Sequence, residues 1–422
     1  MKCSFTIILL AVVFSFCFKS NLEAQDDLIN FYFGQGYNFK SLAFSSDNRF
    51  FAFEKQNIIS LYDTKTLKLI KNLYELGMPG VGQEIRDIAF SPDGNKIISG
   101  ENCCLKLWDI KSGDITNIII KSGSTDNLTV AYSPDGNKIA SGNYSNNVYL
   151  WDIYSDSLFA TLSGHTNWVK SVIFNNKTDK LISGSKDSTI KIWDLTTNKL
   201  INTLYGHNGE VNSVKISSDD SNVLSGSKDS TIKIWDLNEG KLIKTLYGHN
   251  GSVNSISVSK VGNYLVSGSD DSTVKIWDLN TGTLQKTYNG YKGGVIYVAI
   301  SPDGSVIASS SLDNYIRIWK GPNFSVEDVN ENNPNNPEII NISPNPANEN
   351  SEIQFSLDNP SFVNLSITNS LGCEVARVID NIYYEQGKSR VTFDATNFSP
   401  GVYFCTLRTN ALSKTVKFIV MK

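Results

Sequence analysis

Serine, histidine and aspartate together can build a nucleophile, with the histidine taking the serine proton and the carboxylate orienting the histidine. This chain holds that combination three times. His165, Ser183 and Asp187 form the first set, His207, Ser225 and Asp229 the second, and His249, Ser267 and Asp271 the third. The intervals between members are the same in every set. That repetition argues against catalysis, because an active site normally occurs once. The sets also consume every histidine in the chain. No Gly-x-Ser-x-Gly elbow, phosphate-binding loop or metal-binding helix pattern stands elsewhere. No Cys-x-x-Cys with partner histidines is present, so no zinc centre is expected. The sets therefore read as structural, and no catalytic residue, metal or cofactor is expected.

The elements that must position these residues repeat with them. Trp193-Asp194, Trp235-Asp236 and Trp277-Asp278 follow the three aspartates, and Trp108-Asp109 and Trp151-Asp152 are further copies. Tyr62-Asp63 and Trp319-Lys320 are altered ones. A period of about 40–45 residues ending in Trp-Asp is the mark of a propeller blade. Within the clearest repeat, strands are expected over 169–174, 180–185, 189–193 and 200–204. They are bounded by Asn, Asp, Gly and Ser turns. Ser91-Pro92-Asp93-Gly94, Ser133-Pro134-Asp135-Gly136 and Ser301-Pro302-Asp303-Gly304 supply the first turn in other repeats.

With these motifs, residues 27 to 321 resemble a WD-repeat β-propeller of seven blades. The resemblance implies a buried polar tetrad in each blade, drawn from the Gly-His pair, the second strand, the tight turn and the third strand. Three repeats match it completely: His165, Ser183, Asp187 and Trp193; His207, Ser225, Asp229 and Trp235; His249, Ser267, Asp271 and Trp277. The logic also stands on its own, since a buried indole N–H and a buried imidazole both need partners. Other repeats depart. Tyr291 replaces His in blade 7, Ser145 replaces Asp in blade 3, and blade 2 is one residue short with Asn102 in its turn. Blade 1 has Tyr62 for Trp and Gln56 for Asp, which leaves a six-bladed ring as an alternative. In this family the first strand completes the last blade and hides an edge; residues 28–33 suit that role.

Composition bounds the partners. Charged residues are 19% and the net charge is -4, without the basic excess of a nucleic-acid binder. Lys2 followed by an apolar run over 5–18 reads as a signal peptide, with cleavage expected after Ala24. A lipoprotein reading centred on Cys17 is opposed by the bulky Phe16 before it. No later apolar run is long enough for a membrane helix. Once the leader is removed, Cys103, Cys104, Cys373 and Cys405 remain, too few for a disulfide scaffold.

After Trp319 the composition shifts. Residues 322–338 are rich in Asn, Pro and Glu and read as a linker. Residues 339–422 carry six or seven short strand patterns, a small Ig-like β-sandwich. The fold class is thus all-β: 1–24 signal peptide, 25–321 seven-bladed propeller, 322–338 linker, 339–422 sandwich. The tail resembles the C-terminal sorting domain of type IX secretion cargo. The residues that carry this are Ser343-Pro344-Asn345-Pro346, Leu371-Gly372 with Glu374-Val375, Gly401-Val402-Tyr403, and Lys417 before an apolar end. That resemblance implies export to the cell surface or medium through the type IX machinery. A plain adhesion domain is the alternative.

The reading that follows is an exported, non-enzymatic scaffold whose propeller binds a protein or peptide. A structural or adhesion component, and a propeller enzyme with its site in the central channel, are the alternatives. No acidic or nucleophilic set can be assembled on that channel from the sequence. In the resembled family one face of the ring is built by the loops after Gly-His and by the second tight turn. The turn position before each repeat Asp reads Tyr144, Lys186, Lys228, Asp270 and Leu312. The loop position three after His reads Trp168, Glu210, Ser252 and Gly294. Turn tips are usually polar, so Tyr144, Trp168 and Leu312, with Lys186 and Lys228, are the candidate binding residues.

Overall fold

The structure, a computed structural model, describes residues 27–33, 39–55, 57–74, 84–102, 104–120, 127–324, 338–347, 351–357, 361–369, 374–409 and 413–421. The segment 1–24, Gln56, Cys103, most of the linker and the run Leu371-Gly372-Cys373 lie outside the described residues. The chain forms two compact units, the first made of most residues up to Phe324 and the second chiefly of the residues after it.

Among the described residues of the first unit, strands gather into seven four-stranded antiparallel sheets. They span 42–73, 85–120, 127–163, 169–204, 211–246, 253–288 and 295–320. The last segment supplies only three strands of its sheet. Leu28–Phe33 adds the fourth, hydrogen-bonded beside Tyr315–Lys320. The ring has seven blades, not six: residues 42–73 build a full blade although its inner strand, Leu42–Phe44, is short. Backbone pairing continues to Phe324, where Asn323 N–H donates to Gly304 O at 3.0 Å.

Blade 4 shows why the repeat folds as it does. Lys180–Ser185 and Ile190–Asp194 are the central strands and their residues are almost all buried. The outer strand, Lys199–Leu204, is mostly exposed. Asp194 Oδ1 accepts the N–H groups of Thr196 and Thr197 at 2.8 and 2.7 Å, so the aspartate after each tryptophan shapes its own turn. In the Ser-Pro-Asp-Gly turns, Ser91 Oγ donates to Asp93 Oδ1 at 2.6 Å, and Gly94 takes a φ of 66.

The apolar core lies between blades. Ile182, Ile190, Ile192 and Leu204 of blade 4 pack against Val211, Val214, Val223 and Trp235 of blade 5. A blade alone would leave this surface in water. Gly184 marks how close the blades approach, since a Cβ there would lie 2.7 Å from Val211 Cγ1.

The second unit is a two-sheet sandwich. Glu338–Ser343, Ser351–Leu357 and Gly387–Phe393 form one sheet. Ser361–Asn369, Glu374–Tyr384, Gly401–Thr409 and Ser413–Val420 form the other. Alternating burial in Ser351–Leu357 and Gly401–Thr409 sends Ile353, Phe355, Tyr403, Cys405 and Leu407 into one core with Phe418. Glu374–Tyr384, at 11 residues, is the longest of these strands. Two of the sequence motifs meet at the carboxyl-terminal strand: Asn345 Oδ1 accepts Ile419 N–H at 3.0 Å, and Ala347 N–H donates to Ile419 O at 2.8 Å. Among the described residues no helix is long and apolar enough to cross a membrane.

Candidate functional site

The three Ser-His-Asp sets each form one hydrogen-bonded chain. In blade 4, Trp193 Nε1 donates to Ser183 Oγ at 2.9 Å. His165 Nε2 lies 2.8 Å from Ser183 Oγ, and His165 Nδ1 lies 2.8 Å from Asp187 Oδ2. One tautomer satisfies the chain: Ser183 donates to Nε2, and Nδ1–H donates to the carboxylate. Blade 5 repeats it through Trp235, Ser225, His207 and Asp229, and blade 6 through Trp277, Ser267, His249 and Asp271. The serine–histidine–aspartate distances are those of a nucleophilic triad. The surroundings are not. Ser183, Ser225 and Ser267 are fully buried, and each oxygen already accepts an indole N–H.

A fifth member escaped the sequence reading. Thr189 Oγ1 donates to Asp187 Oδ1 at 2.6 Å, and Thr231 and Thr273 do the same for Asp229 and Asp271. Thr166 N–H adds a bond to Asp187 Oδ2 at 2.9 Å. Burial pushes the Asp187 carboxyl upward, but the bonds from His165, Thr189 and Thr166 outweigh it. They hold the group well below the usual carboxylate range, and the same balance acts on Asp229 and Asp271.

The departing blades solve the same problem with other groups. In blade 7, Trp319 Nε1 reaches both Ser309 Oγ and Tyr291 Oη, while Arg317 pairs with Asp313 at 2.8 Å in place of a histidine. In blade 3, Trp151 Nε1 donates to Ser141 Oγ at 3.2 Å. In blade 2, Trp108 Nε1 donates to Ser99 Oγ at 2.9 Å, and Ser99 to Glu101 Oε1 at 3.2 Å. Glu101 is paired with Lys106 at 2.9 Å, both side chains buried. In blade 1, Tyr62 stacks on Phe51 and Phe53 at 5.0 and 5.2 Å between centroids.

On the candidate binding face, the two positions singled out per blade are joined by their backbones. Lys186 N–H donates to Trp168 O, Lys228 to Glu210, Asp270 to Ser252 and Leu312 to Gly294, each at 2.9 Å. The side chains then divide the face. Tyr144 and Trp168 meet edge to face at 4.4 Å between centroids. Lys186 Nζ lies 3.9 Å from the Trp168 ring centroid, and the Arg86 guanidinium lies 5.7 Å from that of Tyr144. Arg86 is a contributor the sequence reading missed. Trp168 is 37% exposed, and among the described residues the Lys186 ammonium has no hydrogen-bond acceptor.

Elsewhere on this face the polar groups occupy one another. Lys170 Nζ donates to Glu210 and Asn212, Asn212 to Ser252, and Asn254 to Asp270. Lys228 belongs to this arc, paired with Glu210 at 3.4 Å, and not to the aromatic one. Leu312, 52% exposed, stands apart on blade 7.

Along the inner strands a repeated side-chain-to-backbone bond joins several blades to the next. Ser171 Oγ accepts Val214 N–H at 3.1 Å, Ser213 accepts Ile256 at 3.3 Å and Ser255 accepts Val298 at 3.2 Å. In blade 2 the seam residue is Asp87, whose Oδ2 accepts Val130 N–H at 3.0 Å, and Tyr297 holds the equivalent strand position in blade 7. Burial raises the Asp87 carboxyl and lowers the Lys215 ammonium, and their opposite charges partly offset both shifts. Burial and the Asp87 charge together raise the Tyr297 hydroxyl.

Comparisons with known families agree with this architecture. The model described as WD domain, G-beta repeat matches residues 75–109, 117–152, 156–194, 198–236, 240–278 and 282–320, together more than half of the chain. Blade 1, with Tyr62 in place of tryptophan, falls outside those matches. The model described as secretion system C-terminal sorting domain matches residues 341–421. No curated protein matches the chain. Seven blades closed by Leu28–Phe33, the buried Trp–Ser–His–Asp chains and the matched repeats place this chain in the WD-repeat propeller family, with a type IX secretion sorting domain as its tail.

Proposed function

We propose that this chain is an exported, non-enzymatic interaction module whose propeller docks an acidic protein or peptide on the arc Arg86–Tyr144–Trp168–Lys186. The observation that carries this reading is the edge-to-face pair Tyr144–Trp168, 4.4 Å apart and flanked by two cations. Rigid aromatic rings beside charge are the usual anchors of an interface. The Lys186 ammonium meets only a ring face, so a partner carboxylate would gain a charge-assisted bond without displacing a protein acceptor. The polar arc on blades 4 to 7 supports the choice by contrast, since its groups already satisfy one another. The non-enzymatic part rests on the closed serine oxygens of the three sets.

The test compares the propeller with its triple variant Tyr144→Ser, Trp168→Ser and Lys186→Ser, both checked for an unchanged melt. Immobilised protein is exposed to envelope extract and culture fluid, and bound material is eluted with a glutamate-rich peptide. A species held by the native protein, released by the peptide and lost in the variant is the expected result. Equal recovery by both proteins would move the site elsewhere.

Delivery is the second half of the proposal: residues 1–24 take the chain across the inner membrane, and the matched tail takes it across the outer one. A fluorescent protein carrying both segments should leave a host with type IX secretion. Retention in the periplasm would overturn this half.

A further inference from the structure

The two cations beside the Tyr144–Trp168 pair are not equivalent. Arg86 is largely occupied. Its Nε donates to Asn102 Oδ1 at 2.9 Å, and one terminal amino group pairs with Glu84 at 2.7 Å. Glu84 pairs in turn with Lys40. The Arg86 charge is thus met by a carboxylate that is itself open to solvent, the Glu84 side chain being 37% exposed. The guanidinium also faces the Tyr144 ring, 5.7 Å from its centroid.

Lys186 is the reverse. Its ammonium lies 3.9 Å from the Trp168 ring centroid, and among the described residues it has neither an ion-pair nor a hydrogen-bond partner. Glu210, the carboxylate at the loop position of the next blade, is taken by Lys170 and Lys228.

These contacts set what a partner can gain at each end. A partner carboxylate brought to Arg86 would face Glu84 as well, and would have to displace bonds already made. Brought to Lys186, it would meet an unshared ammonium and form a charge-assisted bond. Beside that ammonium stand two touching rings, of which Trp168 is more than a third exposed. Ring surface of this kind gains from apolar contact, not from a second anion.

We propose that the arc reads a single acidic side chain flanked by apolar ones, with the carboxylate on Lys186 and the apolar groups on Trp168 and Tyr144. Arg86 is then a positioning residue, which holds Tyr144 in place and takes no anion. This rests on the docking reading given above, and narrows its partner from acidic segments in general to a motif with one carboxylate.

Trp168 supplies the readout. The other six of the seven tryptophans are buried, so quenching of the intrinsic emission by added solutes reports on this ring. Iodide should quench the native full chain more strongly than caesium, because the nearest charge is a cation. Lys186→Met should abolish that preference, and Arg86→Met should keep it. The partner is probed with three blocked tripeptides at about 0.15 M salt, where long-range attraction is screened. One has glutamate between two leucines, the second has glutamine in place of that glutamate, and the third is triglutamate. The first should protect Trp168 from acrylamide saturably. The second should bind at least about tenfold more weakly, as loss of a charge-assisted bond implies, and triglutamate no more tightly than the first. Lys186→Met should make the first two peptides equal. Arg86→Met should weaken both alike and leave their ratio unchanged; if its melt falls, Arg86→Gln takes its place. Tighter binding of triglutamate, or loss of the glutamate-to-glutamine ratio in a folded Arg86 variant, would overturn the assignment while leaving a docking face. Protection by none of the three peptides would remove the docking face, and this assignment with it.

Discussion

Blades 4 to 6 and blades 1 and 2 bury a large aromatic residue at the same place on the third strand, yet they surround it differently. In blades 4 to 6 each indole N–H feeds a serine, a histidine and an aspartate in turn. In blade 2 the serine leads to a buried Glu101–Lys106 pair. In blade 1 the residue is Tyr62, and two phenylalanines stack against it. All of them still form four-stranded sheets in one ring. The ring therefore demands a large ring-bearing side chain with its polar atoms accounted for, and not a particular set of partners. The tetrad is one solution among several.

The comparison can be broken most forcefully at Trp235. Trp235→Ala empties a fully buried site and strips Ser225 of a donor, at a cost of roughly 3–5 kcal/mol. Urea unfolding of the propeller measures it, and a cost below about 1 kcal/mol would mean that the repeats do not depend on the ring.

Blade 2 sharpens the comparison. Lys106→Met removes one member of a buried pair and leaves Glu101 in low dielectric, which should cost about 3 kcal/mol. Adding Glu101→Gln should recover most of that loss. A double variant as unstable as the single one would make this blade unlike the others in kind.

The smallest expected effect is one of pH. The folded Asp229 carboxyl lies below its unfolded value, so its contribution is fully present above about pH 4 and fades as the pH falls toward the folded value. Melts of the native chain and Asp229→Asn should therefore differ at pH 7 and converge as the pH falls below about 4. A gap that stays constant down to pH 2 would show that the charge plays no part.

Much of this was legible before any coordinates. The 42-residue interval between tryptophans gave the ring, and three histidines at one spacing gave the buried chains. Tyr144 and Trp168 both stand out among the turn positions as aromatic, and they do touch. Other parts were not legible for identifiable reasons. Thr189 looks like an ordinary turn residue until its hydroxyl is seen on Asp187. Glu101 and Lys106 sit in the repeat that is one residue short, where alignment to the others fails. Asp87, Lys215 and Tyr297 lie in three separate repeats. Alternation along a strand tells which side chains share a face, but not what surrounds each of them in a closed ring. Lys228 was grouped with the aromatic patch because its turn is equivalent to that of Lys186. Its partner, Glu210, decided otherwise.

The strand Leu28–Phe33 gives the propeller a schedule. It precedes all seven blades in the chain, yet it belongs to the last of them, beside Tyr315–Lys320. A polypeptide still emerging from a ribosome or a translocation pore therefore has a first strand with nowhere to dock and a ring that cannot shut. Bringing such distant segments together grows only slowly more costly with the length between them, so the wait carries little thermodynamic burden. Its kinetic effect is large: every partial product keeps an unpaired edge, and the barrel-like ring becomes a single cooperative object only when the final repeat has cleared the pore.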